Sequence, residues 1–383
     1  MVYLDNAATT KMKESVLEAM LPFFTEDFGN ASSVYTTTGI TAKKAVEKAR
    51  ETVAKALGAE TSELFFTSGG SEADNWAIKG TALKSKKKHI ITTMTEHHAV
   101  LHTCQFMEKQ GYNVTYLPVD EYGMVSVKDV ENAITDDTFL VSVMFANNEI
   151  GTINPIKEIG QLCREKGVYF HTDAVQAAGA VKIDVKDMCI DLLSMSAHKF
   201  HGPKGVGALY IRKGVKIENL IHGGSQEKGK RATTENVAGI VGMATAFNEA
   251  VKNLDEKTAK IASLRDRLIK GILDTVPHTR LNGHPQKRLP NNTSFCFKYI
   301  EGESLLLSLD MKGYIVSSGS ACTSGSLDPS HVLLAIGLPH ETAHGSMRAT
   351  LSEFTTQEEI DCFIKEVGPI VQRLRDMSPL YEK

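Results

Sequence analysis

The sequence predicts an α/β fold: a largely parallel sheet covered by helices, followed by a smaller α+β unit. Strand and helix patterns alternate from about residue 40 to about residue 250. The strand segments are short and rich in β-branched and aromatic residues, as expected for strands with helices on both faces. After a long helical stretch at residues 235–275, the pattern changes to short strands and turns. The alternation predicts the sheet, and the change of pattern predicts the second unit.

The predicted elements follow in chain order. Residues 41–58 have the apolar spacing of an amphipathic helix that ends at Gly58. A helix is also expected at residues 356–376, and residues 223–236, rich in glycine and charge, are expected to be a mobile or interface loop. Strands are predicted in the segments ELFFT, HIITT, NVTYLPV, TFLVSVMF, VYFHTD, DLLSMS and VGALYI.

Composition limits the class of protein. The 383 residues are enough for two or three domains, and 42% hydrophobic with 23% charged residues is ordinary for a globular protein. A net charge of −3 argues against a dedicated nucleic-acid binder. The sequence has no apolar run long enough for a transmembrane helix and no visible secretory signal. The cysteines are scattered, so we expect reduced thiols in a cytoplasmic protein.

The segment TSGGSEADN, residues 67–75, is a glycine turn between a strand and a helix. Glycine allows close backbone approach to a ligand, and a helix N-terminus offers unpaired amide groups. This combination suits a phosphate, although an ordinary serine-capped turn has the same pattern.

Asp173 and Lys199 each follow an apolar strand segment. Taken alone, Asp173 is readily explained as a helix cap, and a solvated loop residue is the usual case for an isolated lysine such as Lys199. Ligands bind beyond the carboxyl ends of parallel strands, where a lysine can become a nucleophilic amine. A phosphate turn, an acid and a lysine at strand ends together form the set that pyridoxal phosphate requires.

Other residues carry weaker signals. Cys322 lies among serines and glycines, which indicates an exposed reactive thiol or a flexible loop that happens to contain cysteine. His98 and His102 have a spacing that suits a metal, but no second ligand cluster accompanies them, so no metal site is predicted. Arg348 suits bidentate carboxylate binding or a structural salt bridge.

Nine motifs give the chain a close resemblance to the NifS/IscS-like cysteine desulfurases, a group within the fold-type I pyridoxal-phosphate enzymes and the class-V aminotransferase family. They are YLDNAATT, TSGGSEADN, TEHHAV, ANNEIGTINPI, HTDAVQAAG, SAHKFHGPKGVGALY, RLPNN, SSGSACTSGSLDPSHVL and HGSMRATLS. The resemblance implies a mostly parallel seven-stranded sheet in a large domain at residues 14–255. It also implies a small domain formed by residues 1–13 and 256–383, with the cysteine loop at about residues 317–330.

The resemblance implies pyridoxal 5'-phosphate as the cofactor. Lys199 would bind it covalently, and Asp173 and Gln176 would contact the pyridine nitrogen and the ring hydroxyl. His97 would stack on the ring and assist proton transfer. The phosphate would be bound by five residues, the last reaching across from the partner subunit: Gly70, Ser71, Ser196, His198 and Thr234.

The resemblance also implies the reaction and the partners. Asn148 and Arg348 would hold the carboxylate of L-cysteine, and Cys322 would accept its sulfur as a persulfide, leaving L-alanine. The enzyme would be a homodimer that passes sulfur to an acceptor protein, such as an iron–sulfur scaffold or a thiolation protein. No contact with nucleic acid or membrane is implied.

Three other readings stay open at this point. One is a selenocysteine lyase or another β-elimination enzyme on the same scaffold, and a second is an aminotransferase. The third is an inactive relative that serves as a scaffold or binds a partner. The chain departs from the usual family pattern in GNASSVYTTTG, which lacks the proline and histidine usual there, and in RATTENV, where Thr233 replaces glycine.

Overall fold

The computed structural model of the chain describes residues 1–318 and 329–381. None of the helices in these two ranges combines the length and the apolar character needed to span a bilayer. The helices are α1 (Glu14–Met20), α2 (Pro22–Thr25), α3 (Thr37–Ala56), α4 (Gly70–Lys84), α5 (His98–Lys109), α6 (Val127–Ala133), α7 (Ile156–Lys166), α8 (Gln226–Gly229), α9 (Val237–Val251), α10 (Leu254–Thr275), α11 (Gly302–Asp310), α12 (His331–Ala335), α13 (His340–His344) and α14 (Gln357–Asp376). The strands are β1 (Val2–Tyr3), β2 (Leu64–Thr67), β3 (His89–Thr93), β4 (Asn113–Leu117), β5 (Thr138–Ser142), β6 (Tyr169–Asp173), β7 (Leu192–Ser196), β8 (Gly207–Ile211), β9 (Thr279–Leu281), β10 (Asn292–Phe297), β11 (Tyr314–Ile315) and β12 (Ser346–Thr350).

The largest sheet within the described residues has seven strands in the order β2-β8-β7-β6-β5-β3-β4. Strand β8 runs antiparallel to both of its neighbours, and every other neighbouring pair is parallel. The predicted α/β class and the mostly parallel seven-stranded sheet are therefore confirmed. Because β2, β3, β5, β6 and β7 all point the same way, their carboxyl ends meet at one edge, which we call the carboxyl edge.

Helices cover both faces of this sheet, which explains why its central strands are apolar almost throughout. Strands β5, β7 and β8 are buried at every position. On one face α3, α7 and α9 contribute Val46, Ile159 and Phe247 to the core. On the other face α4 and α5 contribute Trp76 and Val100. Residues buried on both sides need no alternation of polar and apolar side chains.

The C-terminal part of the chain forms a second, smaller layer. Strands β12, β10 and β9 form an antiparallel sheet, and β11 pairs in parallel with β1 at the N-terminus. Helices α10, α11 and α14 cover this layer with their own apolar core, which includes Leu268, Phe295, Leu305 and Phe363. The predicted domain boundaries stay a prediction. What matters for the site is that β12 faces the carboxyl edge of the large sheet through Arg348.

Local details differ from the sequence-based expectation in two places. The helical stretch at 235–275 is two helices, α9 and α10, separated at Asn253, whose left-handed φ of 54° cannot continue a helix. Segment 223–236 contains the short helix α8 and is tied to the sheet. Its Glu227 is buried and accepts hydrogen bonds from Arg50 at 2.6 and 2.9 Å.

Candidate active site

A cavity of about 350 Å³ lies at the carboxyl edge of the seven-stranded sheet. Its volume is in the range of sites that hold small molecules and cofactors. Strands β2, β3, β6 and β7 end beside it, as the sequence predicted from their polar ends. The predicted site residues that line it are Gly70, Ser71, His97, Asn148, Asp173, Gln176, Ser196, His198, Lys199 and Arg348.

Lys199 lies in a short 3-10 turn, Ala197–Lys199, directly after β7. Its Nζ donates hydrogen bonds to the carbonyl oxygens of Ala7, at 2.5 Å, and Ala8, at 2.8 Å. Both carbonyls belong to the DNAATT segment that follows β1. These bonds hold the amine in the wall of the cavity, where it can react with a bound carbonyl compound.

Asp173 ends β6 and is buried in the floor of the cavity. One carboxyl oxygen accepts the Val175 amide proton at 2.9 Å. Burial raises the pKa of Asp173 to about 6, while the Val175 hydrogen bond and the nearby Lys199 lower it. Gln176, one turn further on, donates from Nε2 to the Ala7 carbonyl at 2.9 Å. Asp173 and Lys199 thus share one cavity, and Gln176 and Lys199 bind the same N-terminal segment.

His97 caps the N-terminus of α5. Its Nδ1 accepts the Ala99 amide proton at 3.1 Å. Burial, together with the positive charge of Lys199, lowers the pKa of His97 to about 4. The ring is therefore neutral at physiological pH, and because Nδ1 is an acceptor, its proton is on Nε2. A neutral ring in a cavity wall can stack on a planar ligand.

The turn between β2 and α4 closes one end of the cavity. Gly69 has φ of +157°, a conformation that favours glycine. A Cβ atom on Gly70 would lie only 2.6 Å from Cγ2 of Val175. Helix α4 begins at Gly70 and has no side-chain cap, so the amides of its first turn can bind an anion. Local geometry therefore requires the glycines, and the turn suits a phosphate.

A second cavity of about 380 Å³ adjoins this turn, and we call it the phosphate cup. Ring Nδ1 of His198 lies 3.1 Å from the Thr9 hydroxyl. Burial and the charges of Lys199 and Lys204 lower the pKa of His198 to about 4, so its ring is neutral. The side chains that line the cup are Thr9, Ser68, Ser71, Glu72, Ser196, His198 and Lys204, with Ala8 and three glycines between them.

Asp74 lines the floor of the active-site cavity beneath Asp173 and was not predicted. Its Oδ1 is buried and has no hydrogen-bond partner in the described part of the chain. Burial, followed by the neighbouring Asp173 carboxyl, raises the pKa of Asp74 well above its usual range. His171 lies 3.6 Å away, but burial lowers the pKa of His171 to about 3. The His171 ring is therefore neutral at physiological pH and does not supply a positive charge to Asp74.

Glu96 lies behind His97 and is also buried. Its Oε1 accepts hydrogen bonds from the Met144 amide at 2.8 Å and the Thr93 hydroxyl at 2.9 Å. Its Oε2 has no hydrogen-bond partner among residues 1–318 and 329–381. Burial raises the pKa of Glu96 to about 8, so this carboxyl keeps its proton at neutral pH.

Arg348 reaches the cavity from β12, on the opposite side from the floor. Its Nη2 donates to Oδ1 of Asp5 at 2.9 Å, and its Nη1 donates to the Asn148 carbonyl at 3.1 Å. Its Nε is buried and has no hydrogen-bond partner in the described residues. A guanidinium held by two anchors, with one donor still unused, can bind an anionic group of a ligand.

Among the described residues, one predicted site residue is not brought into this cavity. Thr234 is exposed and lines a separate depression with Ser68, Gly205 and Arg231. Cys322 lies outside the described residues. The sequence interpretation had also assigned no role to Asp5, Asp74 or the carbonyls of Ala7 and Ala8. The signal for Asp5, Ala7 and Ala8 was the N-terminal motif YLDNAATT, and Asp74 belongs to TSGGSEADN.

Comparison with known proteins agrees with this geometry. The family model for class-V aminotransferases matches residues 2–363. Cysteine desulfurase IscS of Clostridium botulinum (strain Hall) is 66% identical over 385 aligned positions, covering 100% of this chain and 97% of the relative. A solved NifS-like protein superposes with a TM-score of 0.91 at 42% identity, covering 97% of this chain and 100% of that one.

A second solved structure, described as SspA in complex with cysteine, has a TM-score of 0.83 and 38% identity. It covers 93% of this chain and 100% of its own. The full-length matches extend over both layers of the fold and all the motifs named above. The chain therefore belongs to the class-V aminotransferase family and, within it, to the NifS/IscS-like cysteine desulfurases.

Proposed function

We propose that this chain is a pyridoxal-phosphate-dependent cysteine desulfurase that converts L-cysteine to L-alanine and transfers the sulfur to Cys322. One observation carries the proposal: a single cavity brings together Lys199, Asp173, His97 and Arg348. The relatives named cysteine desulfurase, similar over the whole chain, support the same reaction.

The donor set of the cavity fits pyridoxal phosphate. The amine of Lys199 can bind the aldehyde, and the buried carboxyl of Asp173 can pair with the protonated ring nitrogen. The neutral His97 offers a flat face for the ring. The uncapped N-terminus of α4, with Ser71 and Ser196, offers hydrogen bonds to a phosphate. When bound, the cofactor supplies an aldehyde that condenses with amines and a ring that draws electrons from the substrate's α carbon.

Lys199 would move the proton in this reaction, and His97 would assist. The Lys199 amine is held between the Ala7 and Ala8 carbonyls, so after release from the cofactor it stays in the cavity and can remove or return the proton at the substrate α carbon. His97 is neutral, with its proton on Nε2, and can donate a hydrogen bond to the reacting groups while keeping that proton. Asp173 stabilises positive charge on the ring nitrogen.

Arg348 would bind the carboxylate of L-cysteine. Arg348 and Asn148 line the same cavity, and the buried Nε of Arg348 has no hydrogen-bond partner in the described residues. This contact orients the amino acid with its side chain free to meet a thiol. In the sulfur step the thiolate of Cys322 attacks the substrate sulfur, and the carbon–sulfur bond breaks with its electron pair going to the substrate β carbon. That carbon takes up a proton, so a persulfide on Cys322 and L-alanine result. Passing that sulfur to an acceptor protein, such as an iron–sulfur scaffold or a thiolation protein, is part of the proposal.

The proposal also includes a homodimer, in which a second copy of the chain contributes to each site. Thr234 is exposed and outside its own cavity, so its predicted phosphate contact requires a partner subunit. Apolar side chains around α1 and α2 are also exposed, including Phe24, Phe28 and Tyr35. Contiguous exposed apolar side chains mark interaction surfaces. These features support a homodimer; the cytoplasmic location stays a prediction.

The test is alanine and sulfide formation from L-cysteine by the purified chain loaded with pyridoxal phosphate, with a reducing thiol present. We expect equal amounts of the two products. Lys199→Ala should lower both by roughly three orders of magnitude or more, since it removes the proton-transferring amine. Lys186→Ala, at an exposed position paired with Glu60, is the matched control and should not change them.

One variant and one result with wild-type protein separate the parts of the proposal. Cys322→Ser should keep the spectrum of the bound cofactor and its response to L-cysteine but form no persulfide. Undiminished sulfide release by this variant would remove Cys322 from the reaction. Cofactor bound at Lys199 with no alanine from wild-type protein would overturn the desulfurase assignment and leave the cofactor site intact.

A further inference from the structure

Glu72 places a carboxyl group in the phosphate cup. It is the third residue of α4 and lines the cup beside Ser71 and Lys204. Its Oε2 accepts the Ser68 amide proton at 2.7 Å, which fixes the turn before the helix. A negative charge here favours the helix N-terminus, but it repels the phosphate that the same turn would bind.

Glu72 carries that charge at neutral pH. Partial burial raises the pKa of Glu72, but hydrogen bonds from Arg231 and Ser68 outweigh it, and the pKa lies below its usual value. Protonation therefore does not remove the repulsion. The charge has to be cancelled by a cation.

Arg231 supplies the cation in a two-bond geometry. Its Nε donates to Oε1 of Glu72 at 2.8 Å and its Nη2 donates to Oε2 at 2.9 Å. The side chain of Arg231 is 16% exposed and that of Glu72 is 11% exposed, so solvent screens the pair only partly. The guanidinium edge best suited to a bidentate anion is occupied by Glu72 and is not directed at the cup.

The segment that carries Arg231 is anchored independently of any ligand. Glu227, four residues earlier, accepts hydrogen bonds from Arg50 and from the Phe66 amide at 2.9 Å. This buried pair attaches the segment to α3 and β2. Arg231 is therefore already in place before a phosphate arrives.

We infer that Arg231 is a positioning residue for the cofactor phosphate. It cancels the negative charge of Glu72, so that Glu72 can hold the Ser68 amide in place without repelling the phosphate. The inference rests on the proposed function, since it concerns the phosphate of pyridoxal phosphate. It predicts that loss of Arg231 weakens binding through the uncovered carboxylate, and that removing the carboxylate restores binding.

The experiment compares two ligands and five forms of the full-length chain. The ligands are pyridoxal 5'-phosphate and pyridoxal, which lacks the phosphate. The proteins are wild type, Arg231→Met, Glu72→Gln, the double variant, and Arg267→Met, which breaks a remote ion pair with Asp361. Each protein is stripped of cofactor, and binding is titrated by the absorbance of the lysine-linked chromophore. Thermal unfolding confirms that each variant is folded.

Arg231→Met should weaken pyridoxal-phosphate binding by roughly tenfold or more, because one partly buried unit charge then faces the phosphate. Glu72→Gln should bind at least as tightly as wild type, because its amide oxygen can still accept the Ser68 proton. The double variant should recover most of the loss. Pyridoxal affinity should be the same in all forms, and Arg267→Met should match wild type with both ligands.

Three results would overturn the inference. Equal weakness of Arg231→Met and the double variant would mean that Arg231 binds the phosphate itself. Equal weakening for pyridoxal would mean a structural role, and no weakening in Arg231→Met would mean no role. None of these touches the proposed function, which fails separately if wild-type protein forms no chromophore with pyridoxal phosphate.

Discussion

Carboxyl groups on two sides of the same site differ in whether an arginine pairs with them and in the direction of their pKa shifts. On the phosphate side, Glu72 and Glu227 are each bound by both edge nitrogens of an arginine. On the other side, which we call the floor side, Asp74 in the cavity floor and Glu96 behind His97 form no ion pair with a lysine or arginine within the described residues. Burial raises the pKa of both floor acids, whereas the pKa of Glu72 is lowered.

The difference shows what decides the charge of a buried acid. A carboxyl removed from water keeps its charge when a guanidinium supplies two hydrogen bonds, and keeps its proton when none is near. Near Asp173, Glu96 therefore keeps its proton at neutral pH, and the pKa of Asp74 is shifted in the same direction. Asp173 itself has the amine of Lys199 in the same cavity, which lowers its pKa.

The largest effect is expected on the phosphate side, from Glu227→Gln. Arg50 and Glu227 have side chains 1% and 2% exposed. Without the Glu227 carboxylate, the buried Arg50 guanidinium has only the half-exposed Glu47, 3.3 Å from its Nε, as an ion-pair partner in the described residues, which costs about 3 kcal/mol of unfolding free energy. Urea denaturation measures this loss. Glu60→Gln breaks an exposed pair with Lys186 and should change stability little. A Glu227→Gln protein as stable as wild type would show that the Arg50–Glu227 pair does not stabilise the fold. The contrast between paired and unpaired carboxyl groups would then have no energetic basis.

On the floor side, we expect Glu96 to make the unfolding free energy depend on pH. The pKa of Glu96 is about 8 in the folded chain, against an ordinary value of 4.5. A raised pKa means that the proton stabilises the fold below about pH 4.5, and that this contribution is lost as the pH rises towards 8. Within this window, one such group lowers the unfolding free energy by about 1.4 kcal/mol per pH unit.

Glu96→Gln mimics the protonated acid and should remove that slope. The stability of the variant relative to wild type should therefore increase steadily from about pH 5 to about pH 8. Urea denaturation across this range measures it, with Glu14→Gln, an exposed change in α1, as the control. A constant difference between variant and wild type would mean that Glu96 is ionised throughout and that the floor resembles the phosphate side.

The sequence predicted those parts of the site that depend on strand ends. Lys199, Asp173 and the glycine turn each follow a recognisable strand, and parallel strands bring such positions to one edge. The strand pattern also predicted the sheet, because residues buried on both faces are apolar throughout. The break at Asn253 was missed because the helical pattern continues on both sides of it.

The sequence could not predict contacts between distant segments. Arg231 and Glu72 are 159 residues apart, and Asp5 and Arg348 are 343 residues apart. No local pattern marks such residues as partners, since each could be an ordinary surface charge. The raised pKa of Asp74 likewise depends on burial by segments far along the chain. Thr234 and Cys322 stay predictions.

Arg348 has features of both sides of the site. Its guanidinium is paired with a carboxylate, as on the phosphate side, and yet its Nε has no hydrogen-bond partner in the described residues. The smallest effect is expected when Asp5, which anchors its Nη2, is replaced by alanine. A charge-assisted hydrogen bond contributes about 1.5 kcal/mol, so a less ordered Arg348 should raise the KM for L-cysteine by roughly tenfold with kcat little changed. Asp5→Asn keeps an acceptor oxygen and should stay near wild type, as should the remote Asp361→Ala. A lower KM in Asp5→Ala would mean the reverse: that Asp5 competes with the substrate carboxylate for the guanidinium, and that pairing at this position opposes binding.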